Sequence, residues 1–209
     1  MRVVLDNIAK RFQYNWILQN VAIEVDDREV LGISGRNGSG KSTLMSIISG
    51  YLSSTEGNIS YFDEGQAIKR DEIYRYINQV GPYISLIKEL TLPEQYAFHF
   101  KFRKIQEGDY NDFRTFLGMD YDESKQIGAY SSGMHQRLLI ALSLYGAEPL
   151  LLLDEPTSYL DPKAKEWFYD KLSSQIGKKT IIVASNDVED FQFCNKKYEI
   201  VGSELIVKQ

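Results

Sequence analysis

The run from Glu29 to Gly50, EVLGISGRNGSGKSTLMSIISG, constrains the fold more than any other stretch of this chain. Val30-Leu31-Gly32-Ile33 is apolar and reads as a buried strand. It leads into Gly35-Arg36-Asn37-Gly38-Ser39-Gly40-Lys41-Ser42, a G-x-x-x-x-G-K-S pattern. Thr43-Leu44-Met45-Ser46-Ile47-Ile48 then reads as a helix closed by Gly50. Strand, glycine loop and helix in this order are the context a phosphate-binding loop needs. Glycine lets the backbone turn sharply and approach an anion with no Cβ in the way. Successive N–H groups then form a nest for phosphate oxygens. A helix starting near Lys41 adds unpaired N–H groups and the positive end of its dipole. Lys41 supplies a full charge for β- and γ-phosphates, and the Ser42 hydroxyl is a hard ligand suited to Mg²⁺.

A second signal is Leu150-Leu151-Leu152-Leu153-Asp154-Glu155. The leucines predict a central buried strand with two carboxylates emerging at its end. Parallel α/β sheets bind ligands at the carboxyl ends of their strands. Asp154 is therefore placed where Mg²⁺ held by Ser42 would sit, and Glu155 can polarise an attacking water as general base.

The remaining pattern supplies a frame for these two signals. Residues 2 to 8 and 21 to 33 read as strands, with Phe12, Tyr14 and Trp16 between them. An aromatic face of this kind can stack on a nucleobase, while for any one of the three ordinary sheet packing is the better reading. Residues 57 to 62 read as a short strand and residues 66 to 79 as irregular or briefly helical. Thr91-Leu92-Pro93-Glu94 reads as a capped helix start. Tyr96, Phe98, Phe100 and Phe102 then alternate at period two, a strand signal. The capping box favours a helix, on which these rings cannot share one face. They either widen a core face or form a docking surface for a partner. Residues 109 to 118 read as helical. Tyr130-Ser131-Ser132-Gly133-Met134 precedes a long amphipathic helix ending near Gly146. A helix to about Ile176, a strand at Lys179 to Ala184, a helix through Phe193 and a hairpin over residues 198 to 207 complete the chain.

Composition narrows the class. A chain of 209 residues with 43% hydrophobic and 25% charged residues fits a globular protein with a sizeable core. The net charge of −5 argues against nucleic-acid binding, and none is expected. One cysteine, Cys194, leaves no intrachain disulfide or cysteine-based metal cluster and fits a reducing compartment. The most apolar region, residues 138 to 153, is broken by Glu148 and Pro149, so the chain is not expected to enter a membrane alone.

The glycine loop, the Ser-Ser-Gly cluster and LLLLDEP, in this order over nearly the whole chain, resemble the ATPase domain of ABC transporters. The resemblance implies an α/β P-loop NTPase with a mixed, largely parallel central sheet, an N-terminal antiparallel β subdomain and a helical subdomain. It implies one domain over 1–209, with 1–80 and 146–209 forming the core and β subdomain, and 81–145 the helical subdomain. It makes Gly35 to Thr43 the Walker A motif, Leu150 to Asp154 the Walker B strand and Glu155 the catalytic glutamate. Ser158 to Asp161 matches the D-loop, Phe12 the adenine-stacking aromatic, and Tyr130 to Met134 the signature motif usually written LSGGQ. ATP and Mg²⁺ are the implied cofactors. The implied partners are a second copy packed head to tail and an integral membrane permease, which would hold the chain on the inner face of the cell membrane.

Three departures from the family pattern carry consequences. In the signature, Ser131 and Gly133 are retained, while Ser132 and Met134 replace glycine and glutamine. A hydroxyl and a helix N-terminus remain to meet a γ-phosphate. The switch histidine is replaced by Asn186, which can donate a hydrogen bond but carries no positive charge, so reduced turnover is expected. The Q-loop position falls near Pro82; Gln79 lies three residues early and reaches Mg²⁺ only after a loop adjustment, or another group serves. Two further readings stand beside the transporter subunit: a soluble ABC-type ATPase with a regulatory or repair role, and a nucleotide-responsive module with little turnover.

Overall fold

Every residue of Leu150–Asp154 is buried, so this strand is covered on both faces. The computed structural model describes residues 1–208 and shows how. Strands β1 (Arg2–Phe12), β2 (Asn15–Val25) and β3 (Val30–Gly35) open the chain, and helix α1 (Lys41–Ile48) follows the glycine loop. Next come β4 (Glu56–Asp63), β5 (Gln66–Ile68) and β6 (Ile77–Val80), then helices α2 (Leu92–Phe102), α3 (Tyr110–Leu117) and α4 (Ser132–Tyr145). The chain finishes with β7 (Leu150–Asp154), α5 (Pro162–Ser173), β8 (Thr180–Ala184), β9 (Lys196–Val201) and β10 (Glu204–Lys208).

A six-stranded sheet runs β10-β9-β3-β8-β7-β6, and a four-stranded antiparallel sheet runs β2-β1-β4-β5. In the larger sheet β9, β3, β8, β7 and β6 are parallel and only β10 is antiparallel, giving the mixed sheet and the N-terminal antiparallel sheet expected from the sequence. Along β7 the leucines alternate between two cores. Leu150 and Leu152 pack with α1 residues and the antiparallel sheet, whereas Leu151 and Leu153 pack with residues of α3, α4 and α5. The parallel register sets Asp154 opposite Ala184 and Ile33 opposite the same Ala184. The ends of β3, β7 and β8 therefore open at one level, where the glycine loop begins.

Several boundaries differ from the sequence reading. Strand β1 continues to Phe12, β2 starts at Asn15, and the apolar run 21 to 33 is cut by a turn at Asp26–Glu29, where Glu29 N–H donates to the Asp26 carbonyl. The supposedly irregular segment 66 to 79 holds β5, a 3₁₀ turn and the edge strand β6. Four residues including Asn78 and Gln79 carry too little periodicity to announce a strand; pairing with β7 makes one. The last expected helix is a 3₁₀ turn, Val188–Phe191.

The Thr91–Glu94 capping box forms, and the aromatic conflict on α2 resolves by i,i+4 pairing. Tyr96 and Phe100 stack inward against the core at 4.8 Å, while Phe98 and Phe102 pair at 5.4 Å and stay 46% and 69% exposed. Among the described residues, no helix is long and apolar enough to cross a membrane. Because Leu153 is fully buried beneath α4 and α5, Leu153→Ala should lower the unfolding free energy by about 2–5 kcal/mol, read by urea denaturation.

Candidate functional site at the ends of β3, β7 and β8

The glycine loop holds its shape through backbone demands. Gly40 caps α1 at φ +108°, a conformation that penalises any side chain, and a Cβ there would come within 3.0 Å of Ile17 on β2. With no side chain capping α1, its first N–H groups are left for an anion. Arg36, Asn37 and Gly38 are exposed at the loop's crest, Ser39, Ser42 and Thr43 are half-buried, and the Arg36 carbonyl accepts from the Ser39 N–H at 3.0 Å.

Lys41 is the centre of the cluster. Its side chain is 6% exposed, and its Nζ lies 2.7 Å from the Gly35 carbonyl, 2.9 Å from Asn186 Oδ1 and 3.3 Å from Glu155 Oε1. Asn186 also donates through Nδ2 to Asn37 Oδ1, so one amide bridges the lysine and the crest of the loop. An ammonium this buried is retained because carbonyl, amide and carboxylate share it.

Glu155 adopts φ +49°, rare for a residue with a side chain. The turn is pinned by its N–H donating to the Ala184 carbonyl at 2.7 Å. Asp154 is 3% exposed, and burial pushes its carboxyl above the usual range although the Ser42 hydroxyl donates to it. Its Oδ1 is buried with no hydrogen-bond partner. An orphaned carboxylate oxygen beside a serine hydroxyl is a donor set suited to a hard divalent cation, so these two residues fit Mg²⁺.

The other predicted residues lie around this cluster rather than in it. Ser131 caps α4 and accepts from the Met134 N–H at 3.2 Å; Ser131 and Ser132 are exposed. A Cβ on Gly133 would meet the Tyr159 carbonyl at 3.1 Å. Gln136 donates to the Pro156 carbonyl at 2.7 Å, so the α4 N-terminus is tied to the turn that follows Glu155. Sequence reading missed this tether, which no local pattern marks. Phe12 ends β1, is 47% exposed, and has the Lys10 ammonium 5.0 Å from its ring centre. Tyr14 at the hairpin turn is 94% exposed, and Trp16 packs under the Arg11 guanidinium at 5.0 Å. Gln79 sits on β6 opposite Leu152 and lines a small cavity of about 130 Å³ together with Asp154, Gly81 and Pro82.

Comparison with known proteins matches this arrangement. The sequence model of the ABC transporter family covers residues 18–158. The chain is 30% identical over 88% of both chains to the cytochrome c biogenesis ATP-binding export protein CcmA of Agrobacterium fabrum. It is 31% identical to an uncharacterized ABC transporter ATP-binding protein of Bacillus subtilis, YybJ, over 88% of this chain and 85% of that one. In fold it matches a dimeric ATP-binding cassette solved in a post-hydrolysis state with ADP and phosphate, with a TM-score of 0.85 and 24% identity over 99% of this chain and 98% of that one.

Removing the charge at the centre of the cluster should show first in nucleotide binding. Lys41→Ala is expected to weaken ATP binding about 10- to 100-fold by calorimetry, the worth of one charge-assisted hydrogen bond. The glycine loop, the carboxylates at the end of β7 and the matching family model lead to one conclusion: this chain belongs to the ABC transporter family and is an ATP-binding cassette ATPase.

Proposed function

We propose that the chain is the ATP-hydrolysing subunit of a transporter whose membrane-spanning permease is a separate chain, and that it works as a head-to-tail pair with a second copy. The observation that carries the permease is an apolar groove of about 580 Å³ between β6 and α2. Tyr74, Ile84, Ile87, Phe98 and Phe102 line it, and all five are exposed. Exposed aromatic and branched side chains gathered around one concavity suit a helix of a partner protein. The groove shares Ser49, Tyr51, Gln79 and Ile84 with the small cavity that holds Asp154. A helix seated in the groove would thus press on the segment that walls the Mg²⁺ site. In this reading residues 81 to 145 form the helical unit that docks, residues 1–80 and 146–209 the nucleotide-binding unit, and the chain rests on the inner membrane face through its permease.

Each site residue then has a task. Gly35 to Thr43 wraps the phosphates with backbone N–H groups, and Lys41 leaves Glu155 and Asn186 for the β- and γ-phosphates. Phe12 stacks on the base, where ring contact tolerates its identity. Ser42 and Asp154 hold Mg²⁺, with Gln79 or another group of the β6 segment reaching it. When bound, Mg²⁺ supplies charge neutralisation on the phosphate oxygens. Glu155, freed from Lys41, orients and polarises the attacking water. Ser131, Ser132 and Gly133 of a second copy present a hydroxyl and helix N–H groups to the γ-phosphate. Asn186 donates a hydrogen bond there without charge, which makes turnover slow.

Two experiments test this reading. Tagged Glu155→Gln protein, purified with ATP and Mg²⁺ from gently solubilised host membranes, should bring down a polytopic membrane protein in about equal amount. Recovery of soluble proteins alone would remove the transporter reading in favour of a soluble regulatory ATPase. Asn186→His should raise kcat; an unchanged kcat would show that charge at position 186 does not limit turnover.

A further inference from the structure

Behind the site lies a carboxylate that the mechanism above does not use. Asp190, in the 3₁₀ turn after β8, is 1% exposed. Its Oδ2 accepts from Ser185 Oγ at 2.6 Å and from Thr157 Oγ1 at 3.1 Å, and its Oδ1 from the Tyr169 hydroxyl at 2.9 Å. It forms no ion pair among the described residues. The Lys165 ammonium, close enough to feel Asp190, is bound by Asp187 at 2.5 Å. Burial pushes the Asp190 carboxyl up and the three hydroxyls pull it back. Burying a carboxylate against neutral donors is costly, so what the three hydroxyls are attached to matters. Ser185 ends the strand beside Asn186, Thr157 lies two residues past Glu155, and Tyr169 belongs to α5. One carboxylate therefore joins both segments that carry the site's acceptors.

The decisive geometry is at Ser185. Its Oγ lies 2.6 Å from Asp190 and 3.4 Å from Glu155 Oε2, and it accepts from the Asp187 N–H at 3.0 Å. A serine hydroxyl has one proton. The shorter bond takes it, so Ser185 turns an oxygen lone pair toward Glu155. Among the described residues Glu155 Oε2 is then left with only the long Asn186 N–H contact at 3.4 Å. That oxygen keeps its capacity to accept from water.

We propose that Asp190 is a positioning residue for ATP hydrolysis: it draws the Ser185 proton away from Glu155 and anchors the turn after Glu155 through Thr157, keeping Glu155 Oε2 open to the attacking water. The proposal rests on the role given to Glu155 above. In Asp190→Asn the acceptor is neutral and weaker, and the Ser185 proton can turn to Glu155.

The test is steady-state ATP hydrolysis by the full chain, normalised to folded protein by circular dichroism. Asp190→Asn should lower kcat about 10-fold, part of the 10²–10⁴ that a general base contributes, with KM for ATP within about two-fold of the unsubstituted protein. Adding Ser185→Ala removes the misdirected proton, so the double variant should recover much of the lost kcat. A merely structural role predicts the opposite, a double variant at least as slow as Asp190→Asn, and that result would overturn the proposal. So would an Asp190→Asn protein with unchanged kcat. If Asp190→Asn does not fold, Thr157→Val carries the test, since it removes only the anchor of the turn. Its kcat should fall about three-fold or more at constant KM, and an unchanged kcat would contradict the proposal. Glu155→Gln, assayed alongside, separates the two readings. If it still turns over, the role of Glu155 itself fails. If it is inactive while Asp190→Asn is fully active, only the role of Asp190 fails.

Discussion

The Lys41 ammonium has to be neutralised whether or not nucleotide is present, and the rest of the site is arranged around that need. It lies almost wholly out of water, at the start of α1 where no side chain caps the helix. The charge is shared by the Gly35 carbonyl, Asn186 and Glu155. Those two side chains come from the ends of different strands, so neutralising Lys41 also draws β7 and β8 onto the glycine loop. In the function proposed above, phosphate oxygens bring more charge to the ammonium than these groups do and take it from Glu155 and Asn186.

The fold supports this cluster by placing its contacts on rigid strands. Parallel pairing sets the ends of β3, β7 and β8 level, and cores on both faces hold that register. Glu155 is fixed in a left-handed turn by the backbone of β8, which sets the position from which its side chain projects. The Gln136 bond to the Pro156 carbonyl extends the same turn to the N-terminus of α4. A change at Glu155 thus has a short covalent and hydrogen-bonded route to the Ser131 cap.

Much of this was legible in the sequence where chemistry demands particular residues next to one another. Gly35 to Ser42 and Leu150 to Glu155 are contiguous, and each carries its own structural context. The Thr91–Glu94 box was legible for the same reason, whereas Ser131 reads only as part of a polar cluster before a helix and not as its cap. Strand β6 was not, because Ile77–Val80 is short and becomes a strand only through its pairing with β7. Nor was the split of the α2 rings into an inward Tyr96–Phe100 pair and an outward Phe98–Phe102 pair, since period-two spacing suits either state. The contacts of Asn186 with Lys41 and Asn37, and of Asp190 with Thr157 and Tyr169, join residues far apart in the chain. No local pattern reports them.

The proposed exchange at Lys41 is most directly tested by the pairing of two copies proposed to follow it. Sedimentation of the Glu155→Gln protein, with and without ATP and Mg²⁺, reads that assembly without interference from turnover. The account predicts a monomer without nucleotide and a stable dimer with it, two ATP molecules trapped per pair. Protein that binds ATP yet remains monomeric at every concentration would contradict it, because phosphate capture by Lys41 would then be uncoupled from closure of two copies.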